Sequence, residues 1–140
     1  MRNKFKQLVT IVVLGGGLMI SYPTKAFDED KCTPEVGTAF TAQNGERFCI
    51  SKITMANWFT AFSWCKAVGG HLASVTEACN GQFSSCNNIK GSGRSGNAWI
   101  ATPRDKNQAV TVNLSSGSVS GNSTLYLRAN NGYTYYALCK

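Results

Sequence analysis

Apolar positions change period along this chain, and each change predicts an element. From Thr54 to Gly69 they recur at helical spacing: Met55, Trp58, Phe62 and Cys65 share one face, and Ala61, Trp64 and Val68 widen it. Thr54 suits the N-cap. Gly69 suits the C′ position, where glycine enters the left-handed conformation without a steric cost. His71, Leu72, Ala73 and Val75 follow as a short apolar run that reads as a buried strand. Ser74-Val75-Thr76-Glu77 matches a capping box and starts a short second helix, and the Asn-, Ser- and Gly-rich stretch Asn87 to Asn97 is loop chemistry. Upstream, Thr38 to Ala42 and Arg47 to Ser51 flank Asn44-Gly45, a hairpin-turn pair. Downstream, Trp99 to Ala101 reads as a strand, Pro103 to Asn107 as a turn, and Ala109 to Leu114 alternates as a half-buried strand. Ser115 to Ser123 reads as a Ser/Gly turn segment; Leu125, Leu127 and Ala129 then alternate with polar neighbours. Asn130-Asn131-Gly132 turns the chain, and Tyr133 to Cys139 closes the domain as the last strand of a hairpin. The fold class is α+β, one main helix and a short second helix packed on small antiparallel sheets. No internal repeat is present.

The first 26 residues belong to none of these elements. A basic opening (Arg2, Lys4, Lys6), an apolar run from Leu8 to Ile20 and Thr24-Lys25-Ala26 before Phe27 have the layout of a secretory signal peptide. The run is shorter than the ~20 residues a helix needs to span a bilayer. Residues 1–26 are therefore expected to be cleaved and 27–140 to form one domain, with no membrane span in the mature chain and a secreted, cell-surface or periplasmic location. Phe27 to Lys31 reads as a frayed polar leader.

Cleavage changes the charge picture. The whole chain carries a formal +7; the first 26 residues hold four of the fourteen Lys and Arg and none of the seven acids, which leaves +3. Lys90, Arg94, Arg104, Lys106 and Arg128 are spread along the chain, so no clustered basic face points to a nucleic-acid partner. All six cysteines, Cys32, Cys49, Cys65, Cys79, Cys86 and Cys139, follow the leader, and an even count in an exported chain reads as disulfides. Six cysteines allow about 15 pairings. None has the close Cys-x-x-Cys spacing of a zinc site, and one histidine adds little.

The succession of helix, Trp64-Cys65, Gly69-Gly70-His71-Leu72-Ala73-Ser74 resembles the first helix and following segment of C-type lectin-like domains. Trp99-Ile100-Ala101 is similar to that family's Trp-Ile-Gly strand, and Tyr135 to Lys140 to its last strand; the resemblance covers roughly Cys32 to Lys140. It implies a bond from Cys65 to Cys139, leaving Cys32 with Cys49 and Cys79 with Cys86, and an N-terminal hairpin closed by Cys32 and Cys49. The family's calcium-dependent sugar binding uses Glu-Pro-Asn or Gln-Pro-Asp and a Trp-Asn-Asp run. Neither tripeptide nor the run is present, and only Asp105 supplies a carboxylate after Glu77. Calcium takes about 6–8 oxygen ligands, so no metal or cofactor is expected. Compact members of this kind occur at the ends of bacterial surface adhesins.

No enzyme is expected. His71 is the sole imidazole and belongs to the motif's core segment, no two carboxylates are placed as an acid and base pair, and every cysteine has a partner to find. The candidate ligand patch is Asn130, Asn131, Tyr133 and Tyr135, amides and aromatic rings suited to stacking on sugar faces or to a protein interface. Trp58 and Trp64 read as core. The expected function is recognition or adhesion through a glycan or protein on a surface. The alternative is a structural or assembly subunit of a surface appendage or envelope complex.

Overall fold

A computed structural model describes residues 12–14, 17–19, 26–82, 84–105, 108–124 and 134–140. Within the leader, β1 (Val12–Leu14) and β2 (Gly17–Met19) pair antiparallel as a sheet of their own. The main sheet has six strands: β3 (Gly37–Thr41), β4 (Arg47–Ser51), β5 (Asn97–Asp105), β6 (Gln108–Asn113), β7 (Val119–Thr124) and β8 (Tyr136–Cys139). Their spatial order is β3-β4-β8-β5-β6-β7. The sheet is mixed, not a set of small antiparallel sheets, because β8 runs antiparallel to β4 but parallel to β5. The terminal strand thus lies between the N-terminal hairpin and the Trp99 strand.

Both faces of this sheet are covered. Phe48 and Ile50 of β4, Leu138 of β8, Ala98 and Ile100 of β5 and Val112 of β6 point into one cluster, closed by α2 (Val75–Cys79) and the 3-10 helix Asn87–Ile89. The intervening residues Cys49, Cys139, Ala137 and Trp99 enter a second cluster, closed by α1 (Trp58–Ala67). In β8 Ala137, Leu138 and Cys139 are therefore all fully buried.

Three disulfides, Cys32–Cys49, Cys65–Cys139 and Cys79–Cys86, tie these layers, and no described cysteine is free. Cys65–Cys139 joins α1 to β8. That bond sets the rotation of α1: Ala61 and Cys65, with Val68 just beyond the helix, are buried, whereas Phe59 and Phe62 are exposed. The N-cap is Asn57, not Thr54; its Oδ1 accepts the Thr60 N–H at 2.9 Å. Helix cannot start earlier because Met55 is held in a backbone bridge with Tyr135, at 2.7 and 3.2 Å. Gly69 does close α1 with a positive φ of 79°.

Residues 71–73 form no strand, yet they make strand-like bonds: His71 N–H to Lys140 O at 3.0 Å, Ala73 N–H to Leu138 O at 2.8 Å, and Ala101 N–H to Ala73 O at 2.7 Å. A side chain at Gly70 would meet Lys140 O and Phe27, so the close approach requires glycine. The segment at Phe27 is docked, not frayed: Phe27 is buried, Asp28 N–H donates to Val68 O at 2.9 Å and Glu29 pairs with Arg47 at 2.7 Å.

Two segments expected to be turns downstream of Trp99 are partly strand. Residues Pro103 to Asp105 extend β5, with register shifts on either side of Pro103, as a residue without an N–H imposes on a ladder. The Ser/Gly segment turns only at 115–118, where Asn113 Oδ1 accepts the Ser115 and Ser116 N–H groups at 3.0 and 2.9 Å; β7 follows. Leu125, Leu127, Ala129 and the turn Asn130-Asn131-Gly132 lie outside the described residues.

Candidate functional site

The β3–β4 turn meets a distant stretch of chain, the end of α2 and the 3-10 helix that follows it, beside the Cys79–Cys86 bridge. Asn88 holds them together. It is 6% exposed; its Oδ1 accepts the Asn44 N–H at 2.9 Å, its carbonyl accepts the Gln43 N–H at 2.9 Å, and its Nδ2 donates to Ala78 O at 3.3 Å and Glu77 O at 3.4 Å. A buried amide left without these partners would cost about 1–3 kcal/mol, so the arrangement is held as a unit. Asn80, in the left-handed conformation at φ 52°, stops α2 and turns the chain outward.

The result is an open recess of about 350 Å³ lined by Gln43, Asn44, Cys79, Asn80, Gln82, Asn87 and Asn88. Among the described residues, none that lines it is charged. The Asn44 carboxamide oxygen accepts the Glu46 N–H at 3.0 Å. The side-chain amides of Gln43, Asn80, Gln82 and Asn87 make no hydrogen bond among the described residues. In sequence Asn44 belongs to a hairpin-turn pair and Asn87 and Asn88 to a loop stretch. The available signal was Gln43-Asn44 at the hairpin turn and Asn80, Gln82, Asn87 and Asn88 around a cysteine pair, but nothing in it said that residues 43–44 and 80–88 meet.

Of the sequence-predicted patch, Asn130, Asn131 and Tyr133 lie outside the described residues. Tyr135 is half-buried and turned inward: its ring meets Trp99 edge-on at 4.8 Å. Tyr136 is covered by the Arg94 guanidinium, 5.6 Å from its ring centre. A different aromatic surface is open on α1. Phe62 stacks on Trp58 at 5.3 Å and lies under the Lys66 ammonium, with Phe59 edge-on to Trp58 at 5.4 Å. Trp58 and Trp64 are half-buried against the second cluster, and Trp58 Nε1 donates to Ile100 O at 2.9 Å.

His71, Ser74 and Glu77 also converge. His71 Nε2 lies 3.0 Å from Glu77 Oε1, while Ser74 N–H and Oγ donate to Oε2 at 2.8 and 3.0 Å. The carboxylate sits between histidine and hydroxyl, so the imidazole does not reach Ser74 as the base of a nucleophile would. The capping box is complete, with Glu77 N–H donating to Ser74 Oγ at 3.1 Å. Burial pushes the Glu77 carboxyl up, but the hydrogen bonds from Ser74 and His71 outweigh it and hold the group below the usual glutamate range. A carboxyl depressed on folding stabilises the protein above its unfolded pKa, about 4.3, and the contribution is lost as pH falls through the folded value. Glu77→Ala is expected to cost about 1 kcal/mol at neutral pH and to flatten the acid limb of stability. Urea midpoints measured from neutral pH to below pH ~4 test this; parallel acid limbs in the two proteins would contradict it.

Among the described residues no cluster of His, Cys, Asp and Glu could hold a metal, and no helix is long and apolar enough to cross a membrane. No protein-family model matches the chain, and no curated protein matches it.

Proposed function

We propose that this chain is an exported recognition or adhesion module of the C-type lectin-like kind, binding carbohydrate or a protein surface without calcium. The observation that carries the reading is the Cys65–Cys139 bond between the main helix and a terminal strand that also pairs with the N-terminal hairpin. It is the link the sequence resemblance implies, and it comes together with the Cys32–Cys49 closure of that hairpin. Disulfides persist in oxidising compartments, which suits export and cleavage of residues 1–26. Binding through amides and aromatic rings calls for no metal, in keeping with the missing calcium tripeptides.

The test is a glycan array probed with the disulfide-intact protein, once with calcium and once with a chelator. Equal signal in both is the expected result; loss of signal in the chelator overturns calcium independence. A second reading, a structural or assembly subunit, is favoured by the exposed Ile53, Phe59 and Phe62. It requires stable self-association in light scattering and silence on the array.

A further inference from the structure

We propose that the amide-lined recess between the β3–β4 turn and the Cys79–Cys86 loop is a binding site for a neutral, hydroxyl-rich ligand, a single unit of an uncharged glycan. The inference rests on the carbohydrate arm of the proposed function and assigns it a place distinct from the C-terminal Tyr and Asn patch.

Chemistry selects the ligand class. Each carboxamide offers two N–H donors and one carbonyl acceptor, so neighbouring amides match a vicinal diol, in which every hydroxyl both donates and accepts. An anionic sugar or phosphate would call for Arg or Lys, and neither is among the described residues of the lining. A cationic ligand would call for a carboxylate or an open aromatic face, and the described residues lining the recess supply neither. Its volume of about 350 Å³ lies at the small end of ligand sites, which run from about 300 to 1,000 Å³.

The rim is held before any ligand arrives. Asn88 fixes the turn at Gln43 and Asn44 against the end of α2, and the disulfide closes a separation of only 7 residues. A site whose backbone is already ordered loses less entropy on binding. The ordering residues and the free amides are different side chains: Asn88 spends its carboxamide on the backbone, while Gln43, Asn80, Gln82 and Asn87 keep theirs for a ligand. Structure and recognition can thus be separated by mutation.

The experiment titrates the ¹⁵N-labelled, disulfide-intact protein with methyl glycosides of glucose, galactose, mannose and N-acetylglucosamine. Gln43→Ala/Gln82→Ala removes two free amides, and Asn80→Gly removes a third while keeping the left-handed turn. At least one glycoside is expected to shift the side-chain amide signals of Gln43, Asn80, Gln82 and Asn87 saturably. Two lost hydrogen bonds weaken that binding about tenfold in the double variant, with the thermal midpoint unchanged. Glycoside binding that shifts other residues, and that the double variant retains, overturns the recess and leaves carbohydrate recognition standing. Array-positive glycans that are all anionic also overturn it. A silent array together with silent titrations removes the recess and the carbohydrate arm at once.

Discussion

Cys65→Ala/Cys139→Ala is expected to lose about 4 kcal/mol of stability, enough to leave little folded protein at physiological temperature. The two residues are 74 apart in sequence, and cross-linking them removes that much loop-closure freedom from the unfolded chain. Both are fully buried, so two sulfur atoms also leave the core. Domains of this size have about 5–15 kcal/mol in total. The separations of 17 for Cys32–Cys49 and 7 for Cys79–Cys86 correspond to about 3 and about 2 kcal/mol. Denaturant unfolding of the three paired-alanine variants should therefore rank them in that order. A Cys79/Cys86 variant as damaged as the Cys65/Cys139 one would show that local packing, not chain closure, governs these bonds.

Trp99→Ala should cost about 3–5 kcal/mol, the range for deleting a large buried aromatic side chain. Trp99 is fully buried on β5, which sits between β8 and β6, and its ring faces the Tyr135 edge. Its Nε1 donates to Met55 O at 3.3 Å, and the same carbonyl accepts the Tyr135 N–H at 3.2 Å. Trp99→Phe therefore leaves that carbonyl one partner and should cost about 1–2 kcal/mol. Urea unfolding followed by near-ultraviolet dichroism separates the two. A loss under about 1 kcal/mol in the alanine variant would mean the site collapses freely and that Trp99 does not hold the layers together.

The main helix was legible because its apolar period runs without interruption from Trp58 to Cys65, and its end because Gly69 follows. Its start and rotation were not. Ala61 and Phe62 are both near neighbours of Cys65 on a helix, and hydrophobicity alone favours Phe62. The bond to Cys139 and the bridge from Met55 to Tyr135 turn Ala61 inward instead. The Asn44-Gly45 turn and the Ser74–Glu77 cap were read correctly because their chemistry is complete within four residues. Strand β7 was missed because Val119 to Thr124 is mostly Ser, Gly and Asn, and only its pairing to β6 makes it extended. The Tyr135 ring packs edge-on against Trp99, a contact that a tyrosine near a turn does not announce in sequence.

The sequence by itself determined the main helix and its end at Gly69, the Asn44-Gly45 hairpin and the Ser74–Glu77 cap, because those properties come from neighbours within a few residues. Only the tertiary structure decided that β8 lies parallel to β5, that both faces of the sheet carry a buried cluster, and that six amide residues from two distant stretches share one recess. Strand order and cavity shape arise from packing and hydrogen bonds between segments such as those of Asn88, and no local pattern encodes which distant partner a side chain will meet.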